Sequence, residues 1–199
     1  MNKIDISPQQ ILSFDADPQL THDVLNQVTM ENDWTMNNLN PNNHYTTDTF
    51  LQDRDEYIDL INWFDECLEE VKMYKHFMFD GKFSITQCWA NRTNTGGSHH
   101  VHSHPNSLLS GVFYLTNSHP IVFHGPLGWR LSLIESRANE PSLTEVNSIA
   151  GRLLIFPSYM PHGTNPMENK EDRYSISFNT FIQGKLGHPN NLDYIPINS

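Results

Sequence analysis

From Lys82 onward the chain breaks into short apolar runs cut by Gly, Pro and Asn, too close together for helices and regular enough to be paired strands. Runs of strand length fall near 83–91, 99–102, 108–115, 120–123, 130–134, 152–156, 162–165 and 173–182. Eight short strands at such spacing predict a mostly β fold with flanking helices, a sandwich or jelly roll. The helices are expected earlier in the chain. Tyr57, Leu60, Ile61, Phe64, Leu68 and Val71 recur at helical spacing, so 54–75 reads as an amphipathic helix with Asp53 and Glu56 as a capping pair. Thr21 is a candidate cap for a shorter helix through Met30. The Asn-, Thr- and Asp-rich segment 32–49 reads as loop, either a lid or a surface connection. A length of 199 residues with 37% hydrophobic content fits one domain: a helical and loop portion over 1–80 packed on a β core over 82–185.

Charge and composition exclude several functions. A net charge of −11 offers no counter-charge to nucleic acid or to an anionic membrane, so neither is an expected general partner. The two cysteines, Cys67 and Cys88, have no paired spacing that suggests a zinc knuckle or disulfide framework, which points to a reducing compartment. No apolar run reaches signal-peptide or membrane-spanning length, and a soluble, cytoplasmic protein is expected. Neither a glycine-rich phosphate loop nor a GxSxG elbow occurs, which removes support for nucleotide binding of that type and for serine hydrolysis.

Chemistry concentrates in SHHVHSHPNSLLSGVFYL, residues 98–115, where four of the 11 histidines fall within His99–His104. Histidines separated by one residue point to the same side of an extended strand, so His102 and His104 can reach one ion, and His100 is in phase with them. Alone, such a cluster has a polar, partly solvated loop as its competing reading. A second stretch, GRLLIFPSYMPHGTNPMENKEDRYSISFN (151–179), changes the balance. It ends an apolar strand at Pro157, delivers His162 from a turn, and places Arg173 eleven residues later on a strand that alternates Tyr174, Ile176 and Phe178 against Ser175, Ser177 and Asn179.

HSHPNSLLSGVFYL, GRLLIFPSYMPH and RYSISFN together resemble the 2-oxoglutarate- and iron(II)-dependent oxygenases, in particular a bacterial and phage group with the pattern HxHPNSxLSGVxYL, FPSxxxH and RxSxSFN. The resemblance spans roughly residues 85–185. It implies a double-stranded β-helix, a cupin-like jelly roll whose open end holds the metal. Fe(II) and 2-oxoglutarate would be the cofactors, with His162 the distal iron ligand and Arg173 the partner of the far 2-oxoglutarate carboxylate. A planar guanidinium matches a carboxylate better than a lysine does. Tyr114 and Ser175 are candidate second contacts to the cosubstrate, and Asn91 a candidate pocket residue.

One feature departs from the family pattern. The usual facial triad carries Asp or Glu two residues after the first histidine, whereas this chain has His102-Ser103-His104 or, shifted by two, His104-Pro105-Asn106. His102, His104 and His162 are the favoured ligand set, with His104 and Asn106 as the alternative frame. His99 and His100 are left as outer groups around the metal, substrate-side groups, or solvated residues. The expected activity is hydroxylation of an unidentified protein or small-molecule substrate coupled to decarboxylation of 2-oxoglutarate. The other readings are a cupin-like metalloenzyme that does not use 2-oxoglutarate, a three-histidine dioxygenase or isomerase, and a non-catalytic jelly-roll module. The resemblance allows a phage-encoded protein acting in a host cytoplasm, and exposed strand edges leave a homodimer open.

Overall fold

A computed structural model describes residues 9–77, 79–125, 143–168 and 171–197. In chain order it contains β1 (Leu12–Asp15), α1 (Pro18–Thr29), β2 (Trp34–Asn37), β3 (Asn40–Thr46), α2 (Ile58–Tyr74), β4 (Phe79–Thr93), β5 (Leu109–Tyr114) and β6 (Ser118–His124). Then follow β7 (Leu143–Ser148), β8 (Arg152–Pro157), β9 (His162–Thr164), β10 (Arg173–Leu186) and β11 (Ile195–Ile197). The large antiparallel sheet runs β1-β8-β5-β10-β4-β3-β2, with β11 beside the end of β10, and the small sheet runs β7-β6-β9. The two sheets form the expected jelly roll.

Period-two alternation decides what each face of the large sheet meets. Register aligns Phe113 with Ile176 and Gly111 with Phe178, while Ala90 and Cys88 lie opposite the same two β10 residues. This face packs on α2, whose Phe64 ring lies 4.7 Å from Phe178 and 5.9 Å from Phe113. The opposite face carries Val112 and Tyr114 with Leu154 and Phe156, and these pack against Ile121 and Phe123 of β6. Two apolar clusters therefore flank the sheet, one under the helices and one inside the roll. The interior is apolar at one end only. Toward the start of β10 the inward positions become Arg173, Ser175 and Ser177, which leaves a polar cavity.

Several expectations change in structure. The segment 32–49 is a β-hairpin: β2 pairs with β3, and β3 joins β4 through Asn43–Thr93, His44–Arg92 and Tyr45–Asn91. Its Asn-rich composition disguises it, yet Asn43 and Thr46 are buried, and Thr46 Oγ1 accepts the Ala90 amide at 3.1 Å. Together with β1, which pairs with β8, the hairpin gives the first 80 residues three strands in the main sheet. α1 starts earlier than expected, capped by Asp17, which accepts the Gln19 amide at 2.7 Å ahead of Pro18. α2 begins only at Ile58, after two 3-10 turns, and its N-cap Tyr57 makes no side-chain cap. The 99–102 run forms only a bridge from His102 to His162 rather than a strand. The strand expected at 130–134 lies outside the described residues, and β7 forms at 143–148, where the sequence pattern predicts no strand. Among the described residues, no helix is long and apolar enough to cross a membrane.

Candidate active site

The small sheet and the segment before β5 bring three imidazoles together. The His102 amide donates to the His162 carbonyl at 3.0 Å and the His162 amide to the His102 carbonyl at 2.9 Å, so the two residues lie directly opposite each other. Two residues on, the His104 amide is held by the Ser158 carbonyl at 2.9 Å. One ring nitrogen from each of His102, His104 and His162 falls within 4.8 Å of the others. His104 Nε2 and His162 Nε2 face each other at 3.3 Å.

Backbone carbonyls determine which nitrogen of two rings is free. A carbonyl can only accept, so His162 Nδ1 donates its proton to Met160 O at 2.9 Å, and His102 Nδ1 donates to His100 O at 2.7 Å. Both rings thereby present a bare Nε2, the arrangement of a metal-ligating histidine whose other nitrogen is fixed by an outer partner. Burial lowers all three pKa values, to about 3 for His104 and about 4 for His162. The rings are neutral at physiological pH and available as ligands. Three neutral nitrogen donors suit a divalent transition metal, and no carboxylate joins them among the described residues. Asn106 lies apart: it is exposed, at φ 58 in the turn before β5, and does not line the cavity.

The cavity, about 170 Å³, extends from these rings to Arg173. Arg173 is 6% exposed, its Nε has no hydrogen-bond partner, and no carboxylate pairs with it among the described residues. Burial lowers its pKa, opposed by the neighbouring Tyr114. Its guanidinium carbon lies 5.4 Å from the centre of the Tyr114 ring. A buried guanidinium without a counter-ion fits an anionic ligand, and a small dicarboxylate meets that need. The residues present therefore fit both an iron ion and 2-oxoglutarate.

Cross-strand register places Tyr114, Ser175 and Asn91 in one row. Ser175 and Asn91 line the cavity. Tyr114 is wholly buried beneath Arg173 and does not line it, so its contact is with the guanidinium. Asn91 is oriented by its neighbours: it accepts from Trp89 Nε1 at 3.1 Å and donates to Ser177 Oγ at 3.0 Å. Sequence reasoning missed Ser177, Trp89 and the hairpin residues Tyr45 and Asn37, all of which line the cavity. Ser177 was legible from its phase with Arg173 and Ser175, and Trp89 from its phase with Asn91. Tyr45 was not, because the hairpin carrying it reads as loop. His99 also lines the cavity, with burial and the Arg173 charge lowering its pKa to about 3.

Residues 87–179 match a family model described as "Putative 2OG-Fe(II) oxygenase", 2OG being 2-oxoglutarate. No curated protein matches the sequence. Among solved structures, HygX from Streptomyces hygroscopicus with nickel and 2-oxoglutarate bound is 12% identical with a TM-score of 0.63, over 85% of this chain and 82% of that one. A Pseudomonas putida prolyl-4-hydroxylase is 12% identical with a TM-score of 0.65, over 88% and 94%. A Trichoplax adhaerens prolyl hydroxylase in complex with a hypoxia-inducible-factor peptide is 15% identical with a TM-score of 0.61, over 86% and 83%. At these identities the likeness is one of fold, the double-stranded β-helix.

Proposed function

We propose that this chain, whose residues 87–179 match a family model of 2-oxoglutarate- and iron(II)-dependent oxygenases, hydroxylates a protein or small-molecule substrate. In this reading His102, His104 and His162 hold the iron, and Arg173 takes the far carboxylate of 2-oxoglutarate. The observation that carries it is the pairing, within one cavity, of three converging neutral imidazoles with a buried guanidinium that has no counter-ion. Iron held by the three histidines and 2-oxoglutarate held by Arg173 would supply the oxidative chemistry: one oxygen atom of dioxygen would end in succinate, formed with carbon dioxide, and the other in a hydroxyl group on the substrate. The chain's own part is alignment and exclusion of water. The backbone bonds at His102 Nδ1 and His162 Nδ1 keep both protons away from the metal side. Tyr114 stacks beneath Arg173 and fixes the guanidinium from below. Ser175 supplies a hydroxyl beside it, and Asn91, held by Trp89 and Ser177, supplies an oriented amide. Trp89, Tyr45 and Asn37 leave an aromatic and amide-lined side of the cavity for the primary substrate. Both substrate classes are kept because HygX has also been solved with hygromycin B, and the Trichoplax enzyme with a peptide.

The experiment is an anaerobic titration of the purified protein with Fe(II) and then 2-oxoglutarate, followed by the weak visible charge-transfer band of the chelate. The expected result is a band in wild type, lost in His162→Ala and strongly weakened in Arg173→Ala. Metal binding without a band would instead favour the three-histidine enzyme that does not use 2-oxoglutarate, a reading to which the missing carboxylate gives some support. No metal binding at all would favour a non-catalytic module.

A further inference from the structure

We infer that Ser158 is a positioning residue for the His104–His162 pair, acting through a buried chain of hydroxyl groups that fastens the turn delivering His104; the inference rests on those two rings being metal ligands. Three serines from two separate motifs meet away from the cavity, inside the fold. Ser107 Oγ lies 2.7 Å from Ser158 Oγ, Ser158 Oγ lies 2.8 Å from Ser110 Oγ, and Ser110 Oγ donates to Asn179 Oδ1 at 2.8 Å. Ser158 is 0% exposed and Ser110 1%.

Each hydroxyl has one proton. Ser110 donates to Asn179 Oδ1, so its contact with Ser158 uses the Ser158 proton, while Ser107 Oγ shares its one proton among Ser158 Oγ and the Leu109 and Thr180 carbonyls, at 3.0 and 3.2 Å. Ser107 also accepts the Thr180 amide at 3.2 Å, so the chain bonds β5, β10 and the turn after β8 to one another.

The same serine reaches the metal-binding rings through its backbone. Its carbonyl holds the His104 amide at 2.9 Å and its amide donates to the Leu108 carbonyl at 3.1 Å, so the reversal 104–108 closes around Ser158. That reversal contains Asn106 in the left-handed region at φ 58, a conformation that needs support from its surroundings. Two residues beyond Ser158, the Met160 carbonyl accepts the His162 Nδ1 proton. One short turn, 157–162, therefore sets the backbone position of His104 and the ring orientation of His162. This gives the serines of HPNSLLSG and FPS a task that cavity contacts do not explain.

The test is cobalt(II) titration of the full-length protein, followed by visible ligand-field bands and calorimetry, with thermal midpoints measured in parallel. Ser158→Ala keeps the backbone bond to His104 and loses only the hydroxyl chain, so it is expected to weaken cobalt(II) binding by about tenfold, the low end of the effect of losing a direct partner of a metal ligand, and to change the band pattern. Asn179→Ala breaks the far end of the chain, away from the turn that holds His104; it should lower the midpoint while leaving cobalt(II) affinity close to that of wild type. Ser107→Ala removes the Ser158 contact together with the Thr180 amide bond, without emptying the core. It should weaken binding in the same direction and serves if Ser158→Ala does not fold. Wild-type affinity and bands in either serine variant would overturn the inference. So would an Asn179→Ala loss equal to that of the serines, which would make the chain merely structural. Absence of cobalt(II) binding by wild type would instead overturn the metal-site reading and this inference with it.

Discussion

Arg173→Met should make the ligand-free protein more stable while abolishing its response to 2-oxoglutarate. Arg173 is 6% exposed, its Nε is unpaired, and no carboxylate balances its charge among the described residues. Replacing buried charged groups with apolar side chains of similar volume is often stabilising by about 1–4 kcal/mol. Against that stands the lost contact with the Tyr114 face, worth up to about 2 kcal/mol when desolvated. At mid-range values of both terms the balance is about 1 kcal/mol in favour of methionine, or a rise of roughly 2–4 °C in thermal midpoint for a chain this long. In wild type, 2-oxoglutarate at a hundred times its dissociation constant, with metal present, should add about 2.7 kcal/mol. In Arg173→Met it should add almost nothing. Thermal unfolding of both proteins, with and without 2-oxoglutarate, measures all four states. A variant several degrees less stable than wild type without ligand would refute the reasoning, since it would mean that Arg173 already has a balancing partner in the free protein.

Acid should destabilise the metal-free protein in a defined window. The half-buried rings of His99 and His104 and the buried ring of His162 have pKa values lowered to about 3, 3 and 4 from the ordinary 6.5, so the unfolded chain takes up protons first as pH falls. Their contribution is intact above about pH 6.5 and declines toward pH 4; a midpoint unchanged between pH 7 and 4.5 would contradict the burial argument. Phe64→Ala removes the ring that joins α2 to Phe113 and Phe178, and should cost about 3–5 kcal/mol, seen as a midpoint roughly 10 °C lower. Gly111→Ala would place a methyl group 2.2 Å from the Phe178 ring, at a cost of about 1–3 kcal/mol. Adding Phe178→Leu should recover part of that loss in chemical denaturation, and an additive double mutant would show that the clash is not the cause.

Local periodicity by itself determined β4, β5, β6, β8, β9 and β10, because half-buried strands such as RYSISFN record their two faces in alternating residues; it did not anticipate that 99–102 forms only a bridge. It also determined the inward face of α2 and the shared phase of His102 and His104, since these depend on neighbours only a few residues away. The hairpin of β2 and β3 was hidden because its Asn-rich strands lie at the edge of the sheet, where pairing with β4 outweighs intrinsic propensity. No local signal could place Tyr114 beneath Arg173 or bring Tyr45 opposite Asn91, since both follow from strand register across long separations. The same holds for convergence. His162 meets His104, and Ser158 meets Ser107 and Ser110, only after two distant segments dock. Sequence thus determined which chemical groups are present and which way each local segment faces; tertiary structure decided which of them share a cavity, which nitrogen of each ring is free, and which are buried without a partner.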